Sequence, residues 1–295
     1  MPLRFRRWFP LAVAAIGLAS SGIHAQKGPP ALPDVLQAAG DYLVQYSQRL
    51  GAVTAEEEYM QSDSSSGQMG IPKRVNSEIV WVGGGNGGVL GFRDVFAIDN
   101  KPVRQRDDRL LGLFKTPTAS SIQQGQDMSD AAVHYYLSGS LQALDQPTLA
   151  LEFLRKENQE RSAFKLESVK TMNGAQVAIV RFNEHNTPRL VPSEEGGPGV
   201  GKFWIDVATG AVRQTELGIV SKTNNVHVSV KYALEPKLEL WLPVEMYQQA
   251  NTSGAGSGGV SNMGSGGGYN AHQALEGHAT YTKFRRVPVD LSKLK

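Results

Sequence analysis

The sequence predicts an α+β fold: a large curved antiparallel sheet, a half-barrel, covered by an N-terminal helix and a helical insert. Three observations carry this. Apolar residues recur at helical spacing over 34–50. From Val53 onward, short runs alternate apolar and polar side chains and are divided by Gly, Asn and Pro turns. Between about 105 and 157 the alternation gives way to helical patterning. An amphipathic sheet of this extent has to bend and bury its apolar face, and the helices are the cover at hand.

Residues 1–25 read as a secretory signal peptide. Arg4, Arg6 and Arg7 form a positive region, Leu11 to Leu18 a short apolar run, and Ile23-His24-Ala25 a cleavage site before Gln26. The run is too short to span a bilayer. Cleavage removes three of the 30 Lys+Arg, leaving 27 against 28 Asp+Glu, a formal charge of −1. That balance gives no electrostatic case for nucleic acid. With no cysteine, disulfides, thiolate metal sites and a lipidated N-terminal cysteine are excluded. The expected product is periplasmic, with no integral membrane segment after cleavage.

A linker at 26–32 leads into one domain expected over 33–290. Its first helix is expected from Asp34 to Leu50, with Pro33 suited to the first turn and Gly51 to the stop. Val53 to Gln61 reads as a strand carrying Glu56, Glu57 and Glu58, and Ser62 to Gly70 as a polar loop. Arg74 to Val82 and Val89 to Ile98 read as strands around a glycine turn at Gly83 to Gly88. The insert offers helices at about Asp107 to Phe114, Thr118 to Leu137 and Thr148 to Lys156. Strands then return on either side of Asn173-Gly174, a strong hairpin signal. After a Pro/Gly/acid loop at Thr187 to Gly199 come strands at Lys202 to Asp206, Val212 to Ser221 and Val226 to Leu234, the last with strict alternation. Leu240 to Gln249 follows, where Pro243 argues for an edge or a bulge. A Gly/Ser loop at about 251–270 and a strand at His278 to Val287 complete the chain.

Chemistry-bearing patterns are sparse. The run Gly83 to Gly88 lacks the following helix that a phosphate cradle needs. His134, His185, His227, His272 and His278 form no metal-binding spacing, so no metal and no cofactor are expected. Glu56-Glu57-Glu58 and Asp107-Asp108 read as solvated charge, because sequence neighbours do not face each other across a cleft. No serine sits in G-x-S-x-G. Catalysis is therefore not expected. A hydrolase would need its histidines and carboxylates brought together, with His227 the residue to replace first.

Three segments carry a family likeness: FWIDVATGAVRQTELGI (Phe203 to Ile219), VHVSVKYALEPKLELWLPVEM (Val226 to Met246) and GHATYTKFRRVPV (Gly277 to Val289). They resemble the LolA/LolB-like superfamily of periplasmic lipoprotein carriers. That pattern has a strand ending in a W/F-I-D-P-x-T/N-G turn, long antiparallel strands, and a late Y-x-x-F segment. Val207 stands where the family often has proline, and the insert and the Gly/Ser loop are departures. The resemblance implies a half-barrel handling a lipid or an acylated protein. The family's functional residues are dispersed and apolar, so none transfers individually.

Strand aromatics supply the candidate site. Trp81, Phe92, Phe96, Phe203 and Tyr232 are expected to line an apolar space between sheet and helices, or else to fill an ordinary core. The first reading makes the protein a binding protein for a lipid or acylated partner, with a further envelope protein as a possible partner class. The alternative is a periplasmic structural, interaction or stress-sensing module with no ligand cavity.

Overall fold

The computed structural model describes residues 28–65, 68–84, 87–115, 118, 120–137, 145–191, 197–220, 224–253 and 272–288. The expected signal peptide and most of the Gly/Ser loop lie outside them. Helix α1 spans Leu32–Leu50, with proline in its first turn, Asp34 at its positive end and Gly51 at φ 56° ending it. Strands β1 (Ala52–Ser65), β2 (Gln68–Met69), β3 (Lys73–Gly83), β4 (Val89–Ile98) and β5 (Lys101–Pro102) follow. The insert holds α2 (Arg109–Lys115), α3 (Ser121–Ala131), two 3-10 turns at Val133–Tyr135 and Leu149–Leu154, and α4 (Lys156–Gln159). Then come β6 (Ser162–Met172), β7 (Ala175–Glu184), β8 (Gly199–Asp206), β9 (Val212–Val220), β10 (Asn224–Glu235), β11 (Leu240–Ser253) and β12 (His272–Val287).

The strands form one open sheet in the order β5-β4-β3-β1-β12-β11-β10-β9-β8-β7-β6, with β2 paired to β1 off this path. Every neighbouring pair is antiparallel. From β3 to β6 is eight inter-strand steps, roughly 38 Å if flat. Helix α1, about 28 Å long by the usual rise per residue, nevertheless packs against β3, β11 and β6. The sheet is therefore bent around the helix, as a half-barrel.

Inner and outer faces are both covered over β3. Val75, Ile79 and Trp81 join α1 in the main core. Val80 and Val82 face outward and meet Phe92, Leu110 and Phe114 beneath α2 and α3. Gly125 lets α3 approach there: a Cβ at that position would lie 2.8 Å from the Phe92 ring. The interior glycine that weakens this helix by propensity is thus required by packing.

Several boundaries differ from expectation. The serine run after Gln61 is strand as far as Ser65, because Ser62 to Ser65 pair with Gln273 to Glu276. Long-range pairing overrides the loop-like local composition. The long helix expected to reach Leu137 stops at Ala131 and tightens into a 3-10 turn. Pro243 sits at a register shift opposite Tyr232, a bulge rather than an edge. Asn173 and Gly174 both take positive φ, at 49° and 79°, as the hairpin signal requires.

Candidate functional site

The insert leaves the sheet at β5 and re-enters at β6, the opposite edge. It first covers the outer face with α2 and α3. It then rounds the edge at β4, where Ser129 Oγ accepts the Arg93 amide at 2.9 Å and Gln146 Nε2 donates to the Gly91 carbonyl at 3.4 Å. Residues 145–155 finally enter the half-barrel. Ala150, Leu151, Phe153 and Leu154 are buried there. Phe153 packs on Phe182 at 4.7 Å, and Phe182 stacks on Phe203 at 4.7 Å. Gly199 admits the Phe153 ring, since a Cβ there would lie 2.5 Å from it. Tyr232 donates its hydroxyl to the Pro147 carbonyl at 2.5 Å.

Where the insert rounds β4, a cleft of about 810 Å³ opens between β4, α3 and residues 145–155. Val89, Leu90, Val133 and Leu149 give it apolar wall; Arg93, Asp130, Asp145, Glu152 and Arg155 give it charge. Leu90 and Val133 are exposed at its rim, and Leu137 is exposed in the same stretch of the insert. Gln146 Oε1 is buried without a partner among the described residues.

At the cleft floor lies a buried ionic group. Glu57 has the same parity on β1 as Val53, Ala55 and Tyr59, which all belong to the main core. Arg93 on β4 meets it in a two-pronged contact, Nε to Oε2 at 2.6 Å and Nη2 to Oε1 at 2.8 Å. Arg93 also bonds the Asp145 carboxylate through Nη1 and the Asp145 carbonyl through Nη2 at 3.1 Å. Burial opposes the charge on Arg93, but Asp145 and Glu57 outweigh it and hold the guanidinium charged. The expectation that Glu57 is solvated is corrected: β-strand alternation turns it inward, where Arg93 satisfies it. Its place between Ala55 and Tyr59 on the apolar parity of β1 is the sequence signal for its burial.

The five aromatic candidates do not line one space. Trp81, Phe203 and Tyr232 belong to the inner core, where Trp81 meets Tyr281 edge-on at 5.4 Å. Phe92 faces outward and stacks on Phe114 at 5.0 Å. Phe96 lies at the register shift in β4 and carries the Arg106 guanidinium over its ring at 4.5 Å. His227 and His278 do not meet, because β11 lies between their strands; His278 instead contacts Glu245 at 2.9 Å. Among the described residues no group of three or more His, Asp or Glu side chains is placed to hold a metal ion. No described helix is long and apolar enough to cross a membrane.

No family model matches the sequence, and no curated protein is similar to it. Solved structures with similar backbones include an outer membrane lipoprotein-sorting protein domain from Vibrio parahaemolyticus. It is 10% identical, with 85% of this chain and 91% of that one covered, at a TM-score of 0.39. A DUF1329 family protein from Desulfovibrio piger is 9% identical over 89% of this chain and 98% of that one, at a TM-score of 0.37. A LolA superfamily protein from Nitrosomonas europaea is 8% identical over 88% and 97%, at a TM-score of 0.34. At these scores the likenesses decide nothing about activity. The half-barrel is established by the strand order and by the position of α1 inside the sheet.

Proposed function

We propose that this chain is an exported, non-enzymatic binding protein that holds a lipid or an acylated partner against the inner face of its half-barrel. One observation carries the reading: beside α1, the apolar inner face is covered by residues 145–155, a segment that adds no strand to the sheet, next to an open cleft of about 810 Å³. That volume suits a small-molecule site. An acyl chain entering from the cleft would replace Leu151, Phe153 and Leu154 against Phe182 and Phe203. Each methylene so buried gains about 0.8 kcal/mol. Of the expected lining residues, Trp81, Phe203 and Tyr232 are buried in the inner core that such a chain would have to enter, and none of them lines the open cleft itself. Export rests on the reading of residues 1–25 as a signal cleaved after Ala25.

The test is native mass spectrometry of the purified mature chain together with titration by a pyrene-labelled phosphatidylcholine. Co-purified lipid, or saturable binding weakened by Leu151→Asp, supports the proposal. Empty protein that also ignores the probe overturns it. A second reading, an envelope interaction module, is favoured by the filled interior and by the apolar rim residues Leu90 and Val133. Capture of an envelope protein that is lost in Leu90→Asp would select it.

A further inference from the structure

Residues 145–155 are tied down at both ends. At the exit, α4 docks on α1: Lys156 pairs with Asp41, and Gln159 Nε2 donates to the Leu36 carbonyl at 3.0 Å. At the entry the tie is ionic. Arg93 stands between Glu57 and Asp145, with side-chain exposures of 5%, 0% and 15%. One cation facing two carboxylates leaves an excess negative charge where water is scarce.

The other groups around Asp145 do not cancel that charge. Tyr59 on β1, Tyr281 on β12 and Tyr136 after α3 are phenols that burial keeps neutral. Asp130 of α3 and Glu152 line the same cleft and add negative charge. Arg155 is already bonded to Glu152 at 2.6 Å and to Glu157.

We infer that Asp145, acting through Arg93, is a proton-linked latch: proton uptake holds residues 145–155 inside the half-barrel, and proton loss loosens them. The sign comes from linkage. Burial pushes the Asp145 carboxyl up from its usual 3.8 to about 6, against the pull of Arg93. With the segment out, the same carboxyl is solvated and returns to the ordinary range. The closed form therefore binds the proton more tightly. Acid favours closure, and raising the pH through about 6 favours opening. The gap of about two pK units caps the effect at roughly a hundredfold in the opening equilibrium.

The test is hydrogen exchange of the mature chain at pH 5.0 and 7.5, corrected for intrinsic rates and read at residues 145–155. Protection is expected to fall by about tenfold at the higher pH. Asp145→Asn copies the protonated form and is expected to stay protected at both. Equal wild-type protection at the two pH values overturns the latch, as does an undiminished pH response in a folded Asp145→Asn. Should that variant not fold, Glu57→Gln, which also removes the excess charge, takes its place under the same criterion. Pyrene-labelled phosphatidylcholine binding that tightens from pH 5.0 to 7.5 is a further arm resting on the proposed carrier role. A pH-dependent latch in a protein that ignores lipid would sink the carrier and leave the latch standing.

Discussion

Asp206 shows how one side chain fixes a corner. Its Oδ1 accepts from the Ala208 and Thr209 amides at 3.1 and 3.0 Å and from the Thr209 hydroxyl at 2.9 Å. Its Oδ2 takes Arg213 at 2.5 Å, and that guanidinium lies 3.6 Å over the Trp241 ring. Burial pushes the Asp206 carboxyl up, but the Arg213 and Thr209 hydrogen bonds outweigh it and hold it below its ordinary 3.8. A depressed carboxylate stabilises the fold above its unfolded value and loses that contribution as the pH falls through the folded one. The relevant window is therefore below about pH 3.8. Asp206→Ala is expected to cost about 1–3 kcal/mol in urea unfolding at pH 7. The gap between variant and wild type should close in acid below that window. This corner was legible, because D-x-x-T-G is a local turn pattern. The partner of Glu57 was not, because Arg93 lies on another strand and only pairing through β3 brings them together.

At the scale of elements, patterning located the insert's helices but not their destinations. The apolar positions of 109–131 and of 149–154 look alike in sequence. Yet the first set covers the outside of the sheet and the second fills its inside. What separates them is the passage around the β4 edge, where Ser129 and Gln146 hydrogen-bond β4 and Arg93 holds Asp145, and which carries no local signature. The aromatic candidates divide for the same reason: Trp81 and Phe92 look across from opposite faces of paired strands. Phe153 is the main anchor of the inner segment. Phe153→Ala is expected to lower stability by about 3–5 kcal/mol in thermal or urea unfolding. A cost under 1 kcal/mol would mean that the segment contributes little to the packing it fills.

At the scale of the whole molecule, the fold class followed from strand alternation plus two helical stretches, whereas the strand order did not. Local hairpins such as β6–β7 announce themselves through Asn173-Gly174. Nothing near β1 or β12 announces that they pair, since some 200 residues separate them and the match is made by burial on both faces. Their seam lies inside the sheet and joins the run β5-β4-β3-β1 to the run from β12 to β6. A chain ending at Asn270 is therefore expected to lack a cooperative urea transition and near-ultraviolet circular dichroism. Retention of both would show that the β6–β11 meander folds alone.

The same seam sets a timetable. Because the earliest strand waits for the last one, a chain threaded through a ribosome or a translocation pore cannot lock its sheet until residues 272–287 have emerged. Loops of that length close late and slowly. Until then the first strand stays unpaired along one side, and the two runs of the sheet stay unjoined.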